Sequence, residues 1–147
     1  TPADPVVQKM VDELGRDGKK AGKGFYDYPE DGEKRLWPGL AEAYPVAEQQ
    51  PDVEDIKKRM MYVQSVETAR CMEENVVTSP QDADVGSILG WGFAPFHGGV
   101  CSMVDSIGIE DFVAECDRLA QAHGERFTPN KLLRDMATEG RGFYQAA

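Results

Sequence analysis

The sequence predicts an all-α protein, with a small bundle of about five or six helices over residues 51–147. Two stretches, residues 53–77 and 109–122, carry apolar side chains every three to four positions, which is the spacing of one helix face. A hydroxyl residue followed by proline, at Ser79 and at Thr128, stands where a helix would begin. No segment alternates apolar and polar residues at period two, so a sheet is not expected.

Residues 1–50 are expected to form a short helix, an aromatic anchor and a wrapping linker. The helix is predicted over residues 4–14, with Asp4 as its cap and Pro5 in the first helical position. Glycines then interrupt the helix, and the aromatic residues 25–28 are predicted to form a short extended segment. Prolines, glycines and acidic residues from there to residue 52 predict a loop with at most one helical turn.

The bundle is predicted to begin with a long helix over residues 53–77. Its apolar stripe is expected to face the core and consists of Ile56, Met60, Val63, Val66, Ala69, Met72 and Val76. Ser79 is expected to cap the next helix, with Pro80 in its first position. Asp82 is favoured in the first turn by the helix dipole.

A glycine- and aromatic-rich turn over residues 90–99 follows the second helix. It is too rich in glycine to be helical and too apolar to be a solvated loop, so we expect it to pack against the bundle. Phe93 and Phe96 are therefore predicted to point inward, with Pro95 fixing the backbone between them. His97 is expected to reach solvent, because no acidic residue lies within the turn to pair with it.

Two further helices are predicted to complete the bundle. The first covers residues 109–122, ends before Gly124 and buries Phe112, Val113, Cys116, Leu119 and Ala120. The second is predicted to start with Thr128 as cap and Pro129 in the first position, and to end before Gly140. Its buried face is expected to consist of Leu132, Leu133, Met136 and Ala137.

The two ends of the chain look alike when they are aligned from Pro5 and Pro129. Each gives a proline, a short amphipathic helix, a glycine and then Gly-Phe-Tyr, at residues 24–26 and 142–144. Predicted helices precede the second copy but not the first. The simplest interpretation is a duplicated unit: residues 1–50 hold the tail of the first copy plus a linker, and residues 51–147 hold the second copy.

The composition is typical of a soluble intracellular protein. With 26 acidic and 16 basic residues the net charge is -10, which repels nucleic acid and anionic lipid surfaces. No apolar run approaches the roughly 20 residues that span a bilayer, and the first residues lack the layout of a signal peptide. Cys71, Cys101 and Cys116 are expected to be reduced, buried thiols. Neither the cysteines nor His97 and His123 have the spacing of metal ligands.

Three stretches of the sequence carry a resemblance to a known family. Residues 15–28, GRDGKKAGKGFYDY, run from a glycine- and lysine-rich segment into the aromatic anchor. Residues 60–84, with RCMEENVVTSPQDAD as their second half, cover the long helix, the Ser-Pro turn and the acidic start of the next helix, and residues 90–99 with Asp105 form the aromatic turn. Together they resemble the C-terminal domains of the 3-hydroxyacyl-CoA dehydrogenase family, in the duplicated form of multifunctional fatty-acid-oxidation proteins of the alpha-subunit type. Ala94 stands where a second proline is more usual in that family.

The resemblance implies a helical domain like the C-terminal domain of 6-phosphogluconate dehydrogenase, as the second copy of a duplicated unit. It also implies a parent that is an NAD-dependent L-3-hydroxyacyl-CoA dehydrogenase, fused to an enoyl-CoA hydratase. In that family a Rossmann domain binds NAD, a His–Glu dyad removes the hydroxyl proton, and an Asn of the first helical unit assists. None of these can be placed on this sequence. We therefore expect no catalytic, cofactor-binding or metal-binding residue here, and no activity of the fragment alone.

The implied partners are the NAD-binding domain and the first helical unit of the same parent chain, with acyl-CoA as the substrate of the parent. In single-copy relatives the helical unit forms a dimer interface, so the second copy is expected to take the place of that partner; a homo-oligomer is left open. The implied location is the bacterial cytoplasm, or an organelle if the source is eukaryotic. The alternative function is a non-catalytic helical dimerisation or binding module of an unrelated protein.

One loop has the composition of a phosphate-binding segment. Residues 18–24 are rich in glycine and lysine, but they lack the GxxxxGK[ST] spacing and no strand precedes them, so they are interpreted as a structural turn. A contact with the phosphates of CoA is left open. The reason is that four basic residues lie close together in and beside this loop, although the chain as a whole is acidic. That cluster consists of Arg16, Lys19, Lys20 and Lys23.

Other residues are interpreted as structural. His97 is expected to be solvated or capping and not a general base. Glu67, Glu73 and Glu74 are interpreted as a charged outer face of the long helix. The methionines Met60, Met61 and Met72 are expected to fill the core and not to line an acyl-chain groove.

Overall fold

The computed structural model describes residues 3–144. The chain divides into two compact units, Thr1–Gln50 and Pro51–Ala147. Seven α-helices make up most of the regular structure of the described residues, so the predicted all-α fold class is confirmed. Within residues 3–144 no helix is both long enough and apolar enough to cross a membrane.

Residues 3–50 of the first unit form short elements. Helix α1, Asp4–Gln8, continues without a break into a π-helical turn at Lys9–Glu13. A 3₁₀ turn follows at Lys19–Ala21, and helix α2 covers Leu40–Ala43 in the predicted linker. The first helix is thus found where the sequence predicts it, with its second half wound more widely than an α-helix.

A pair of very short strands lies between these helices. Strand β1, Tyr26–Asp27, pairs antiparallel with β2, Arg35–Leu36, with Tyr26 opposite Leu36. The extended aromatic segment agrees with the prediction, but its pairing was not expected. Two residues per strand are too few to show an alternation in the sequence. The exclusion of any sheet is therefore wrong in this detail, and the fold class is unaffected.

The second unit, as far as residue 144, is a bundle of five α-helices. They are α3 (Val53–Glu73), α4 (Pro80–Trp91), α5 (Val100–Ile107), α6 (Ile109–His123) and α7 (Lys131–Glu139). Single 3₁₀ turns at Pro95–His97 and Glu125–Phe127 lie in the α4–α5 and α6–α7 connections. The number of helices agrees with the prediction, although α3 ends at Glu73 and not at residue 77.

The buried face of α3 agrees with the predicted apolar stripe only in part, at Val66 and Ala69. It consists of Tyr62, Ser65, Val66, Thr68 and Ala69. Met60 and Val76, both predicted to face the core, are exposed. The predicted stripe advances mostly in steps of three residues, each short of the turn of about 3.6 residues, so it winds around the helix. Val76 also lies beyond the end of α3, after Asn75 turns the chain with a φ of 56°.

The helix starts test the predicted caps. The Ser79 hydroxyl accepts a hydrogen bond from the Asp82 backbone N–H (3.1 Å) and Pro80 opens α4, as predicted. For α1 the prediction is wrong, because Ala3 occupies the cap position and Asp4 is the first helical residue. For α7 it is also wrong, because the cap is Asn130, and Thr128 lies before it. The Asn130 amide also donates to the Ala69 carbonyl (2.9 Å), so a tertiary contact with α3 selects the start of α7.

The core of the second unit lies where α3, α5, α6 and α7 meet. Its largest fully buried side chains are Phe112, Phe127, Met103, Leu119, Leu133 and Met136. Tyr62 of α3 stacks on Phe112 of α6 with the ring centroids 4.6 Å apart. Cys101 and Cys116 are buried as predicted, whereas Cys71 is only partly buried.

Candidate functional site

A buried carboxylate, Asp84 on α4, fixes the start of α5. Its Oδ1 accepts a hydrogen bond from the Cys101 backbone N–H (2.7 Å), and its Oδ2 accepts one from the Ser102 hydroxyl (2.6 Å). Both donors lie in the first turn of α5, where unpaired N–H groups and the helix dipole favour a negative partner. The Tyr144 hydroxyl donates to the same Oδ2 (2.7 Å). This carboxylate therefore has a structural role that the sequence analysis did not find.

Two glycines allow backbone to approach these carboxylates. A Cβ added at Gly99 would lie 2.4 Å from the side chain of Asp84, and Gly99 also has a φ of 119°. A Cβ added at Gly142 would lie 2.5 Å from the carboxylate of Asp105. That carboxylate accepts hydrogen bonds from the backbone N–H groups of Phe143 and Tyr144. Glycine is needed at both positions because any side chain would occupy the place of an acceptor oxygen.

The aromatic turn packs through one of its two phenylalanines. Phe93 is only 2% exposed, as predicted, but Phe96 is 82% exposed, so its predicted inward orientation is wrong. Phe96 lies in the 3₁₀ turn after Pro95, which projects its ring away from the core. His97 is half-buried and lies against both rings, at centroid distances of 6.4 Å from Phe93 and 4.4 Å from Phe96. Its predicted solvent contact is thus only partial.

Helix α4 presents an apolar face that no part of the second unit up to residue 144 covers. Val85 and Leu89 lie one turn apart on this face, and Leu89 is 80% exposed. Gly86 and Gly90 lie beside them, with no atom within 4 Å of the position a Cβ would take. We call Val85, Gly86, Leu89 and Gly90 the α4 face. A row of large and small apolar residues in solvent is typical of a surface that binds another protein segment.

A groove between α3 and α4 continues the α4 face. It has a volume of about 530 Å³ and is lined mainly by apolar side chains, among them Val63, Val77, Ala83 and Trp91, together with Gly86. The Trp91 indole N–H donates to the Gln64 side-chain oxygen (2.7 Å), which fixes the ring at the groove edge. Because Gly86 belongs to both surfaces, the groove and the α4 face can contact the same partner.

The acidic residues of α3 have different roles. Glu67 pairs with Arg70 at the surface (2.9 Å), as expected for a charged outer face. Glu73 differs, since it accepts hydrogen bonds from the Leu132 backbone N–H (2.9 Å) and the Asn130 amide (3.1 Å). Glu73 thus supplies acceptors to the first turn of α7, while remaining exposed as expected for the charged outer face. No group of three or more His, Cys, Asp or Glu among residues 3–144 is arranged to hold a metal ion.

Arg16 does not belong to an exposed basic cluster. Its side chain is 9% exposed and lies against the Trp37 ring, 4.2 Å from the centroid. It donates to the carbonyl of Gly24 (2.6 Å) and to the carboxylate of Asp27 (2.5 Å). Arg16 therefore ties the loop to β1, which agrees with the predicted structural turn and uses this side chain within the fold.

The lysines of this loop are exposed. Lys19 and Lys20 begin the 3₁₀ turn, and Lys23 follows it. The loop is closed by two backbone hydrogen bonds between Gly18 and Lys23 (2.7 and 3.2 Å). A Cβ added at Gly24 would lie 2.9 Å from the Cα of Gly18, so the closure has no room for a side chain there. We call residues 18–23 the lysine loop.

The described residues thus form two compact units, of which the first offers a basic loop and the second, a small helical bundle, offers an apolar face. No family model matches the chain. It is 40% identical over 142 residues, 92% of its length, to the fatty acid oxidation complex subunit alpha of Pseudomonas syringae pv. tomato. The protein of the same name from Psychrobacter sp. is 35% identical over 95% of the chain, and that from Idiomarina loihiensis is 35% identical over 97%. The chain spans about one fifth (20%) of the length of these curated relatives. The resemblance inferred from the sequence is confirmed: the chain matches a segment of the fatty acid oxidation complex alpha subunit.

Proposed function

We propose that this chain is the C-terminal helical part of an NAD-dependent L-3-hydroxyacyl-CoA dehydrogenase of fatty-acid β-oxidation, and that it acts there as a structural interface. The proposed parent enzyme rests on one observation: more than nine tenths of the chain is similar to relatives named as fatty acid oxidation complex alpha subunits. The parent is proposed to be a soluble bacterial protein that also contains an enoyl-CoA hydratase and binds NAD and acyl-CoA through other domains.

The interface role is supported by the α4 face. Val85 and Leu89 of this face are both exposed, and a continuous exposed apolar patch, unlike a single exposed apolar residue, is typical of an interaction surface. The relatives are about five times as long as this chain, which leaves most of the parent available to cover that face. Burying a leucine side chain contributes about 1.5–3 kcal/mol, so covering this face would stabilise the parent appreciably. The proposed occupant is another part of the same polypeptide.

The proposed division of the chain assigns residues 1–50 to the tail of a first helical unit and residues 51–147 to a second one. Equivalent local structures support it. Gly15 and Gly140 both have positive φ, 58° and 65°, and each lies just after the last residues of a helix. The arginine after each glycine donates its backbone N–H back to a buried methionine, from Arg16 to Met10 (2.8 Å) and from Arg141 to Met136 (3.1 Å).

The Gly-Phe-Tyr motifs that follow these arginines also share a constraint. In both, the glycine lies at a close approach where a Cβ would meet another group at less than 3.0 Å. The first motif runs into a strand and the second is anchored to Asp105, so the two copies have since acquired different contacts. A shared ancestral helix end accounts for both.

The proposal that this chain lacks the catalytic and NAD-binding groups of its parent is tested by measuring binding of NADH. Calorimetric titration of the chain with NADH is expected to show no binding, and the chain alone is expected not to oxidise a 3-hydroxyacyl-CoA. The full-length parent should do both. Micromolar binding of NADH by the chain alone would contradict the assignment of the cofactor to another domain.

The interface role is tested with Leu89→Arg. In the isolated chain this change should leave the melting temperature within about 2 °C, because the side chain is exposed. In the full-length parent it should lower thermal stability and increase proteolysis between domains, since it places a charge in a buried contact. Met60→Arg, an exposed apolar position on α3, is the matched control. A parent that tolerates Leu89→Arg as well as Met60→Arg would overturn the proposal.

A further inference from the structure

We infer that the lysine loop binds the phosphate groups of the CoA part of the substrate, through Lys19, Lys20 and Lys23. This inference rests on the proposed function for the identity of the ligand, because an acyl-CoA is the substrate class of the proposed parent. Nothing in the fold of the loop requires three lysines, since the turn is formed by its glycines and by Arg16.

The lysine loop differs from the rest of the chain in the contacts that its lysine side chains make. Of the eight lysines in the chain, five contact a partner within the described residues. Lys57, Lys58 and Lys131 pair with carboxylates, Lys9 donates to a carbonyl and Lys34 lies over the Tyr26 ring. Lys19, Lys20 and Lys23 are exposed and make no ion pair, hydrogen bond or ring contact of their side chains within residues 3–144. The lysines without a partner are thus confined to one six-residue loop.

This arrangement is unusual for a chain with an excess of acid. With 26 acidic residues against 16 basic ones, an exposed ammonium group has many carboxylates with which it could pair. The loop instead keeps three positive charges close together, where they repel one another. Such a cluster is stabilised when an anion with several charges binds, and lysine is a common ligand of phosphate as a point charge on a flexible stem.

The loop is also held in shape before any ligand binds. The two hydrogen bonds between Gly18 and Lys23 close it. The Arg16 side chain fixes its base through Gly24 and Asp27, and stacks on Trp37. A ligand therefore meets a preformed backbone, and only the lysine side chains lose freedom on binding, which lowers the entropic cost of association.

The negative net charge of the whole chain favours a compact anion over a long one as the ligand of this loop. A long polyanion would meet the surrounding negative field, because the net charge is -10. A compact ligand experiences mainly the local charge, since salt screens interactions beyond about 8–10 Å. The pyrophosphate and 3′-phosphate of CoA place several negative charges on such a compact group. The same chemistry occurs in inorganic phosphate and in anionic lipid headgroups, which the experiment separates.

The binding experiment uses this chain with coenzyme A, dephospho-CoA, inorganic phosphate and phosphatidylglycerol vesicles. Coenzyme A should bind most tightly, dephospho-CoA more weakly because it lacks the 3′-phosphate, and the vesicles not at all. The combined variant Lys19→Gln, Lys20→Gln, Lys23→Gln should weaken binding of coenzyme A about tenfold or more. The matched control, Lys34→Gln, Lys57→Gln, Lys131→Gln, removes the same charge from other exposed lysines and should bind as the unmodified chain does. Equal weakening by both variants, or binding to vesicles without binding to coenzyme A, would overturn the inference.

The kinetic experiment uses the full-length parent and two substrates, the 3-hydroxyacyl-CoA and the matching 3-hydroxyacyl pantetheine thioester, which has no phosphate. The combined loop variant should raise KM for the CoA substrate about tenfold and leave KM for the pantetheine thioester unchanged. Equal effects on both substrates would reject the loop as a phosphate site. Failure of the unmodified parent to oxidise either substrate would instead reject the proposed function, and the binding experiment would still decide the role of the loop.

Discussion

The hydroxyl of Tyr144 donates a hydrogen bond of 2.7 Å to Oδ2 of Asp84, sixty residues earlier in the chain. That oxygen also accepts from the Ser102 hydroxyl, so one carboxylate joins α4, the start of α5 and the second Gly-Phe-Tyr motif. Burial, and after it the hydrogen bond to Asp84, raises the pKa of Tyr144 to about 12. The bond is local to the second unit and can be tested in the isolated chain.

Tyr144→Phe removes this bond and is expected to lower the free energy of unfolding by about 1 kcal/mol, since Asp84 keeps its other donors and Tyr144 is partly exposed. Urea unfolding followed by circular dichroism measures it. The folded pKa lies above the unfolded value near 10, so this stability is present below pH 10 and is lost as the pH rises through about 12. Tyr26→Phe, in the first Gly-Phe-Tyr motif, should have little effect. Equal stability of the two variants would contradict a structural role for the bond.

Gly99→Ala is expected to destabilise the second unit by about 2–3 kcal/mol. The new Cβ would lie 2.4 Å from the side chain of Asp84, at a backbone φ of 119° that other residues rarely adopt. Gly86→Ala is the matched control, because that glycine is helical and has open space around it. The control should be neutral or stabilising by up to about 1 kcal/mol in the isolated chain. Thermal unfolding of both variants measures these effects. An unchanged stability of Gly99→Ala would mean that Asp84 can move aside without lowering the stability of the second unit.

The two phenylalanines of the aromatic turn should differ sharply on truncation. Phe93→Ala removes a buried ring and is expected to cost about 3–5 kcal/mol. Phe96→Ala removes an exposed ring and should change the stability of the isolated chain by less than about 0.5 kcal/mol. Differential scanning calorimetry measures both. A large loss for Phe96→Ala in the chain alone would show that its ring packs inside the second unit.

The three cysteines should react with a thiol reagent in two phases. Burial raises the pKa of Cys101 and of Cys116 to about 12, so almost no thiolate forms at pH 8, and both side chains are inaccessible. Cys71 is partly exposed in the groove between α3 and α4 and should react first. With a disulfide dye we expect one thiol to react rapidly in the native chain and all three to react rapidly in denaturant. Cys71→Ser should remove the fast phase, and a fast phase that persists would place one of the buried thiols at the surface.

Features with local causes were predictable from the sequence. The cap of α4 is an example, because the Ser79 hydroxyl and the Asp82 N–H that it binds are three residues apart. Phe112, Cys116 and Leu119 on α6 are another, since a helix with a single apolar stripe has only one face to bury. The family resemblance depends on such local motifs and was therefore also accessible.

Features that depend on distant partners were not predictable. Asp84 meets its donors 17 and 60 residues along the chain, and no spacing in the sequence marks it among its acidic neighbours. The start of α7 moved from Thr128 to Asn130 because Asn130 also contacts α3. The orientation of Phe96 was wrong for the same reason, and the burial of Arg16 could not be foreseen: a ring or a charge is buried or exposed according to what the rest of the fold places beside it.

The glycines of the α4 face set how near another helix can come. Gly86 and Gly90 leave the helix surface flat over one turn, so a crossing helix can place its axis about 8 Å away, at the short end of the usual range. An alanine at position 86 would favour the helix in isolation and at the same time hold that crossing helix further off. Stability of the free domain and close approach of a partner helix therefore place opposite requirements on this one position.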